Sequence, residues 1–141
     1  MTLTNTIARR ILDAALAHGR ALGLKPLSVA ILDAGGHPWL FEREDGTSPG
    51  RFDLARGKAY GCLMLGMGGA ALAARAQVQP SFAQAMNGLY EGRFVPVQGG
   101  VLIRDGKGDV IGAVGVTGDT SENDAACAVA GIVAAGLQAE A

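Results

Sequence analysis

His18 and His37 are the only two histidines among 141 residues. Proton transfer by an imidazole near neutral pH, or histidine ligation of a metal, must therefore use one of them. His37 falls in a predicted hairpin together with Asp33, Glu42 and Asp45, and these groups could serve there as acid and base. Asp33, Asp45 and His37 are the weak catalytic candidates, because sequence alone does not bring them within hydrogen-bond reach. The plainer reading of His37 is a solvated turn residue. The plainer reading of His18, at the centre of an apolar helix face, is a core histidine bonded to a neighbouring carbonyl.

Four cations, Arg43, Arg56, Lys58 and Arg104, could make charge-assisted bonds to the carboxylates of a small molecule. For most of them solvated surface charge is the simpler account. Lys58 is the exception, lying between Gly57 and Ala59 in an otherwise apolar helix. The amides from Gly118 to Glu122 open the last helix and could hold an anion, although Asp119, Glu122 and Asp124 weigh against a strongly negative one. Gly66-Met-Gly-Gly-Ala-Ala71 has no clear strand before it and no acidic residue at the dinucleotide-binding spacing, so it reads as a connection between helices. No GxSxG, HExxH or CxxC pattern is present. Cys62 and Cys127, flanked by Ala, Gly or Leu, read as small core residues, and no metal other than one carried in by a cofactor is indicated.

The elements that must position these groups follow from periodicity. Ile7, Ile11, Ala14, Ala15, His18, Ala21 and Leu22 recur at helical spacing, predicting a helix from about Thr4 to Leu22. Leu27–Asp33 and Pro38–Arg43 read as strands joined through Ala34-Gly35-Gly36-His37, a reversal that uses the positive-φ freedom of glycine. A turn-rich loop leads to a helix from about Phe52 to Leu65. Residues 66–79 read as loop and short helix, followed by a helical turn from Pro80 to Gly88. Gly100–Arg104 and Val110–Thr117 form a second hairpin, whose glycine-dense return strand implies close approach of another backbone or a ligand. Thr120 or Ser121 caps a final helix reaching Leu137, in which Cys127, Ala130 and Ala134 suggest a second layer or a subunit contact. The result is one α+β domain over residues 1–141, a central antiparallel sheet with flanking helices in a profilin/PAS-like sandwich.

Composition narrows the function. A net charge of −1 with scattered Lys and Arg gives no field for a polyanion, so nucleic acid is not an expected partner. The longest apolar stretch, Ala125–Leu137, is too short to span a bilayer and no signal peptide is evident, which predicts a cytoplasmic protein with no membrane partner. Aromatics are 5% of residues while Gly alone numbers 22. Such a core gains little from large side chains, and a ligand or self-association would add buried area.

Asp33-Ala-Gly-Gly-His-Pro-Trp-Leu-Phe-Glu-Arg43 with Asp45-Gly46, Lys58-Ala59, Gly99-Gly100, Asp105-Gly106, and Ile111-Gly-Ala-Val-Gly-Val-Thr-Gly118 with Asp124 span nearly the whole chain in that order. Together they resemble the GlcG/HbpS family, sometimes called haem-degrading domains, and the C-terminal domain of PduO-type cobalamin proteins. The resemblance implies a profilin-like fold, homo-oligomers, and binding of haem or a related tetrapyrrole, with haem degradation or iron handling in some members. Lys58 matches the family's Lys-Ala step, and with Arg43 and Arg56 it could face the propionates, with Gly99, Gly100 and Gly118 in the binding site; His37 or His18 would be the axial donor of a histidine-ligated haem, with Tyr60, Tyr90, Cys62, Met64, Met67 and Met86 as other possible axial groups. The sequence departs from the family pattern at Glu44, at Gly61-Cys62 and at Leu102. Those departures motivate an alternative: a cofactor-independent enzyme, or an accessory protein, acting on a small carboxylate in a catabolic pathway.

Overall fold

The computed structural model describes all residues, Met1–Ala141. In chain order the elements are α1 (Asn5–Ala21), β1 (Ser28–Asp33), β2 (Pro38–Arg43), α2 (Arg51–Leu65), α3 (Gly69–Val78), α4 (Pro80–Leu89), β3 (Gly100–Arg104), β4 (Val110–Thr117), α5 (Ser121–Ala134) and β5 (Gln138–Glu140). The five strands form one sheet in the order β2-β1-β4-β3-β5, with every neighbouring pair antiparallel. This is the α+β sandwich that the sequence predicts.

Helices cover both faces of the sheet, so its central strands are buried almost throughout. Alternation along each strand divides the core in two. Val29, Ile31, Val101, Ile103, Val114 and Val116 pack with α1 and α5, whereas Leu32, Leu102 and Ala113 pack with Ala59, Cys62, Leu72 and Phe94 on the α2 side. Thr4 caps α1 by accepting from Ile7 N at 3.2 Å, and Thr120 caps α5 by accepting from Asn123 N at 3.2 Å.

The glycines of β4 admit a backbone. A Cβ on Gly115 would lie 1.8 Å from the Ala55 carbonyl oxygen, so α2 rests directly on β4 with no side chain between them. On the other face, a Cβ on Gly131 of α5 would come within 2.4 Å of the Ile11 carbonyl oxygen, which brings α1 and α5 into close contact.

Several expectations change. Residues 69–78 form a regular helix, with Gly66 as the left-handed C-cap of α2 at φ 67°. The last helix stops at Ala134 rather than Leu137, because Gly136 takes φ 77° and turns the chain back. Gln138–Glu140 then cover the β3 edge as β5, which limits the exposed pairing edge. Cys127 points into the core against Gly19, and of the three small α5 residues only Ala130 and Ala134 retain exposure. His18 sits at the margin of the buried α1 face rather than its centre. The helix contacts both α5 and the sheet, so its buried face is centred on Ala8, Ile11, Leu12, Ala15 and Gly19.

Candidate functional site

The β1–β2 turn is built around one carboxylate. Asp33 Oδ1 accepts from Gly35 N at 2.9 Å and His37 N at 3.0 Å, a side-chain-to-backbone pattern that closes tight turns. Gly36 supplies the reversal at φ 86°. The same Oδ1 lies 3.2 Å from His37 Nδ1, and Oδ2 accepts from Trp39 Nε1 at 3.1 Å. Desolvation acts to raise the Asp33 pKa, but hydrogen bonds from His37 N, Trp39 Nε1 and Gly35 N, with the His37 charge, outweigh it and hold the carboxyl below its ordinary value. When His37 Nδ1–H donates to this carboxylate, Nε2 keeps its lone pair and faces outward as a ligand or base. The His37 side chain is 78% exposed.

Beside this pair lies a cavity of about 430 Å³. Leu3, Trp39, Val110 and Ile111 give it apolar walls, and Asp33, His37 and Thr2 supply polar side chains. An apolar hollow with a few convergent polar groups is the general form of a small-molecule site. Of the acid–base candidates, the structure brings Asp33 and His37 together. Asp45 is exposed beyond the far end of β2, and Glu42 pairs with Arg9 at 3.4 Å.

The cations are placed elsewhere. Lys58 is 4% exposed, and its Nζ donates to Val116 O at 2.9 Å and Asp124 Oδ2 at 3.2 Å. Asp124 Oδ1 accepts from Asp119 N at 2.9 Å. Burial pushes the Lys58 pKa down and the Asp124 pKa up, and their mutual attraction opposes both shifts. A Cβ on Gly99 would fall 2.8 Å from Lys58 Nζ, and one on Gly100 would fall 2.3 Å from the Lys58 carbonyl oxygen. These two glycines thus make room for α2 and its lysine. Arg56 lies 5.5 Å from the Phe52 ring, with its Nε buried and unpartnered. Arg43 is exposed at the end of β2, and Arg104 pairs with Glu140 at 2.8 Å. His18 is half-buried on the outer side of α1, where Leu22, one turn further on, is 54% exposed.

Gly118 lines a second cavity, of about 230 Å³, with Lys25, Pro26, Gly46, Thr47, Ser48 and Arg51. Sequence reasoning missed Arg51 and Lys25. The available signal was the run Thr47-Ser48-Pro49-Gly50-Arg51, two hydroxyls and a cation leading into a helix start. No group of three or more His, Cys, Asp or Glu side chains is arranged to hold a metal ion.

A family model described as haem degrading protein HbpS-like matches residues 3–133. Among solved structures, the chain is similar to a PduOC:heme complex with a TM-score of 0.87 at 23% identity, over 100% of both chains. Klebsiella pneumoniae protein ORFY gives a TM-score of 0.86 at 24% identity, over 96% of this chain and 92% of that one. A double mutant of Streptomyces reticuli HbpS gives 0.79 at 27% identity, over 94% and 86%. Comparison with curated protein sequences gives no match.

Proposed function

Because this chain belongs to the HbpS-like family, whose model covers residues 3–133, we propose that it binds haem or a related tetrapyrrole through a histidine. The observation that carries the proposal is the Asp33–His37 pair at the rim of the apolar cavity. A metal-ligating imidazole is commonly oriented by a carboxylate on its other nitrogen, and Asp33 supplies that partner. Leu3, Trp39, Val110 and Ile111 offer an apolar wall to a macrocycle. The PduOC:heme complex, similar over its full length, supports the same ligand class. Bound haem would supply iron redox chemistry, and haem breakdown or iron handling is the activity the proposal extends to.

A second placement of the donor is favoured by a different observation. His18 lies on an outer α1 surface of small apolar residues that includes exposed Ala17, Ala21 and Leu22, and Val133 of α5 is 60% exposed. A flat macrocycle on this surface would need a second copy of the chain to cover its other side, so homo-oligomerisation belongs to this placement. In the His37 placement Lys58 and Arg43 are not first partners of the propionates, because Lys58 is engaged with Asp124 and Arg43 stands at the opposite end of β2. A cytoplasmic setting is part of the proposal, in keeping with two buried free thiols and with the absence of any helix long and apolar enough to cross a membrane.

Titration with haemin tests the proposal. A saturable Soret band that weakens in His37→Ala places the iron at the cavity, and one that weakens in His18→Ala places it on the α1 face. Binding unaffected by both substitutions would contradict histidine ligation.

A further inference from the structure

The cavity at the other end of β1 has a different chemistry. Lys25, Pro26, Gly46, Thr47, Ser48, Arg51 and Gly118 line it, with no hydrophobic side chain and no carboxylate among them. Three loops meet here: the one entering β1, the one between β2 and α2, and the one leaving β4. At about 3.3 Å per residue, the six residues of β1 separate this cavity from the Asp33–His37 turn by roughly 20 Å. It is therefore distinct from the site proposed for haem.

Arg51 is held in place while most of its donors stay free. Its Nε donates to Ser48 Oγ at 3.1 Å and its Nη1 to Thr117 Oγ1 at 2.8 Å. A guanidinium has five N–H groups in a planar fork suited to a carboxylate or phosphate, so three remain for a ligand. Lys25 makes no ion pair, and its exposed ammonium adds a second positive charge. Beneath Arg51, Ser28 is fully buried with an unpartnered hydroxyl, and its register partner across the sheet is Thr117, the residue that fixes Arg51.

The neighbouring acids are engaged outside the cavity, although the Asp119 carboxylate attracts the Lys25 charge and offsets part of it. Asp119 accepts from Lys25 N, Thr120 N and Asn123 Nδ2, and Glu44 pairs with Arg20 while accepting from Leu27 N. Asp45 and Asp53 are exposed and line no part of the cavity.

We propose that this cavity binds a small oxyanion, a carboxylate or a phosphate ester, gripped by the Arg51 guanidinium and the Lys25 ammonium with the Ser48 hydroxyl, whose O–H is free because its oxygen accepts from Arg51 Nε; the Thr47 hydroxyl is spent on the Glu44 carbonyl. The volume of about 230 Å³ equals roughly eight water molecules at about 30 Å³ each, room for a compact metabolite and not for a macrocycle.

Calorimetric titration of the 141-residue chain with sodium phosphate and with sodium malonate, against chloride at matched ionic strength, tests the site. Saturable binding of at least one anion, weakened at least tenfold in Arg51→Gln and in Lys25→Gln and unchanged in Arg9→Gln, is the expected result. Phosphate binding alone assigns a phosphate ester, malonate binding alone assigns a carboxylate, and binding of both supports the shared oxyanion chemistry. Lys25 is exposed and its side chain is unpaired, so Lys25→Gln carries the test if Arg51→Gln does not fold. Binding of neither anion above the chloride background, or Lys25→Gln binding as tightly as the parent, would overturn the proposal. Haemin binding is independent of these outcomes.

Discussion

Asp33 Oδ1 stands 3.2 Å from His37 Nδ1 across the turn that joins β1 to β2, and the same oxygen accepts both turn amides. One carboxylate thus fixes the backbone and the imidazole together, and Nδ1 is the ring nitrogen it engages. Asp33→Asn would weaken that orientation and remove the charge that favours Nδ1–H. If His37 ligates haem, Asp33→Asn is expected to weaken haemin binding by about 10- to 100-fold, the usual effect of losing such a partner. An unchanged dissociation constant in Asp33→Asn would separate the pair from haem binding.

Lys58 and Asp124 are predicted to act in folding. Replacing Lys58 by Met leaves a buried carboxylate without its cation, a change that costs about 3–5 kcal/mol. Urea denaturation is expected to show that loss in Lys58→Met and much less in the double variant Lys58→Met/Asp124→Leu, which removes both charges. A Lys58→Met protein as stable as the parent would show that the pair contributes nothing.

Stability toward acid has a defined window. Hydrogen bonds from Asn123 Nδ2, Lys25 N and Thr120 N hold the Asp119 carboxyl at about 2, below its ordinary 3.8. Between these values the unfolded chain binds more protons than the native one, so stability falls as pH drops through the window and is fully present above it. Asp33 and Asp105 are also lowered and act in the same direction, while the raised Asp124 acts in the opposite one. Denaturation at pH 5 and pH 2.5 is expected to show a smaller acid loss in Asp119→Asn than in the parent. Equal losses would count against these hydrogen bonds.

Gly115→Ala tests how closely α2 lies on the sheet. The added methyl would sit 1.8 Å from the Ala55 carbonyl oxygen, so helix and strand must part, at a cost of about 3 kcal/mol. Gly106→Ala, with nothing within 4 Å of the new atom, serves as control. A Gly115→Ala midpoint equal to that of Gly106→Ala would mean the contact is looser.

The parts of this arrangement legible in the sequence are those that depend on nearby residues. The β1–β2 hairpin follows from a run of β-branched and aliphatic residues ended by two glycines, and Asp33 and His37 meet because four positions separate them across a tight turn. The crowding on β4 was likewise readable from Gly112 and Gly115, although not that a helix backbone is what approaches. Lys58 and Asp124 are 66 positions apart on helices that cover opposite faces of the sheet, and nothing local records that the lysine reaches past Val116 to the start of α5. The Arg51 cavity joins three loops in the same way. Strand β5 escaped notice because Gln-Ala-Glu has little strand propensity and is held by the open edge of β3 and by the Arg104–Glu140 pair.

The most direct test of histidine-held haem is a haemin titration of the parent, His37→Ala and His18→Ala, followed by absorption, with an unrelated apolar protein as reference. The account predicts a saturable Soret shift in the parent, approaching equimolar haem and chain, and its loss in one of the two variants. A weak, unsaturated response in the parent, or an identical band in both variants, would contradict it.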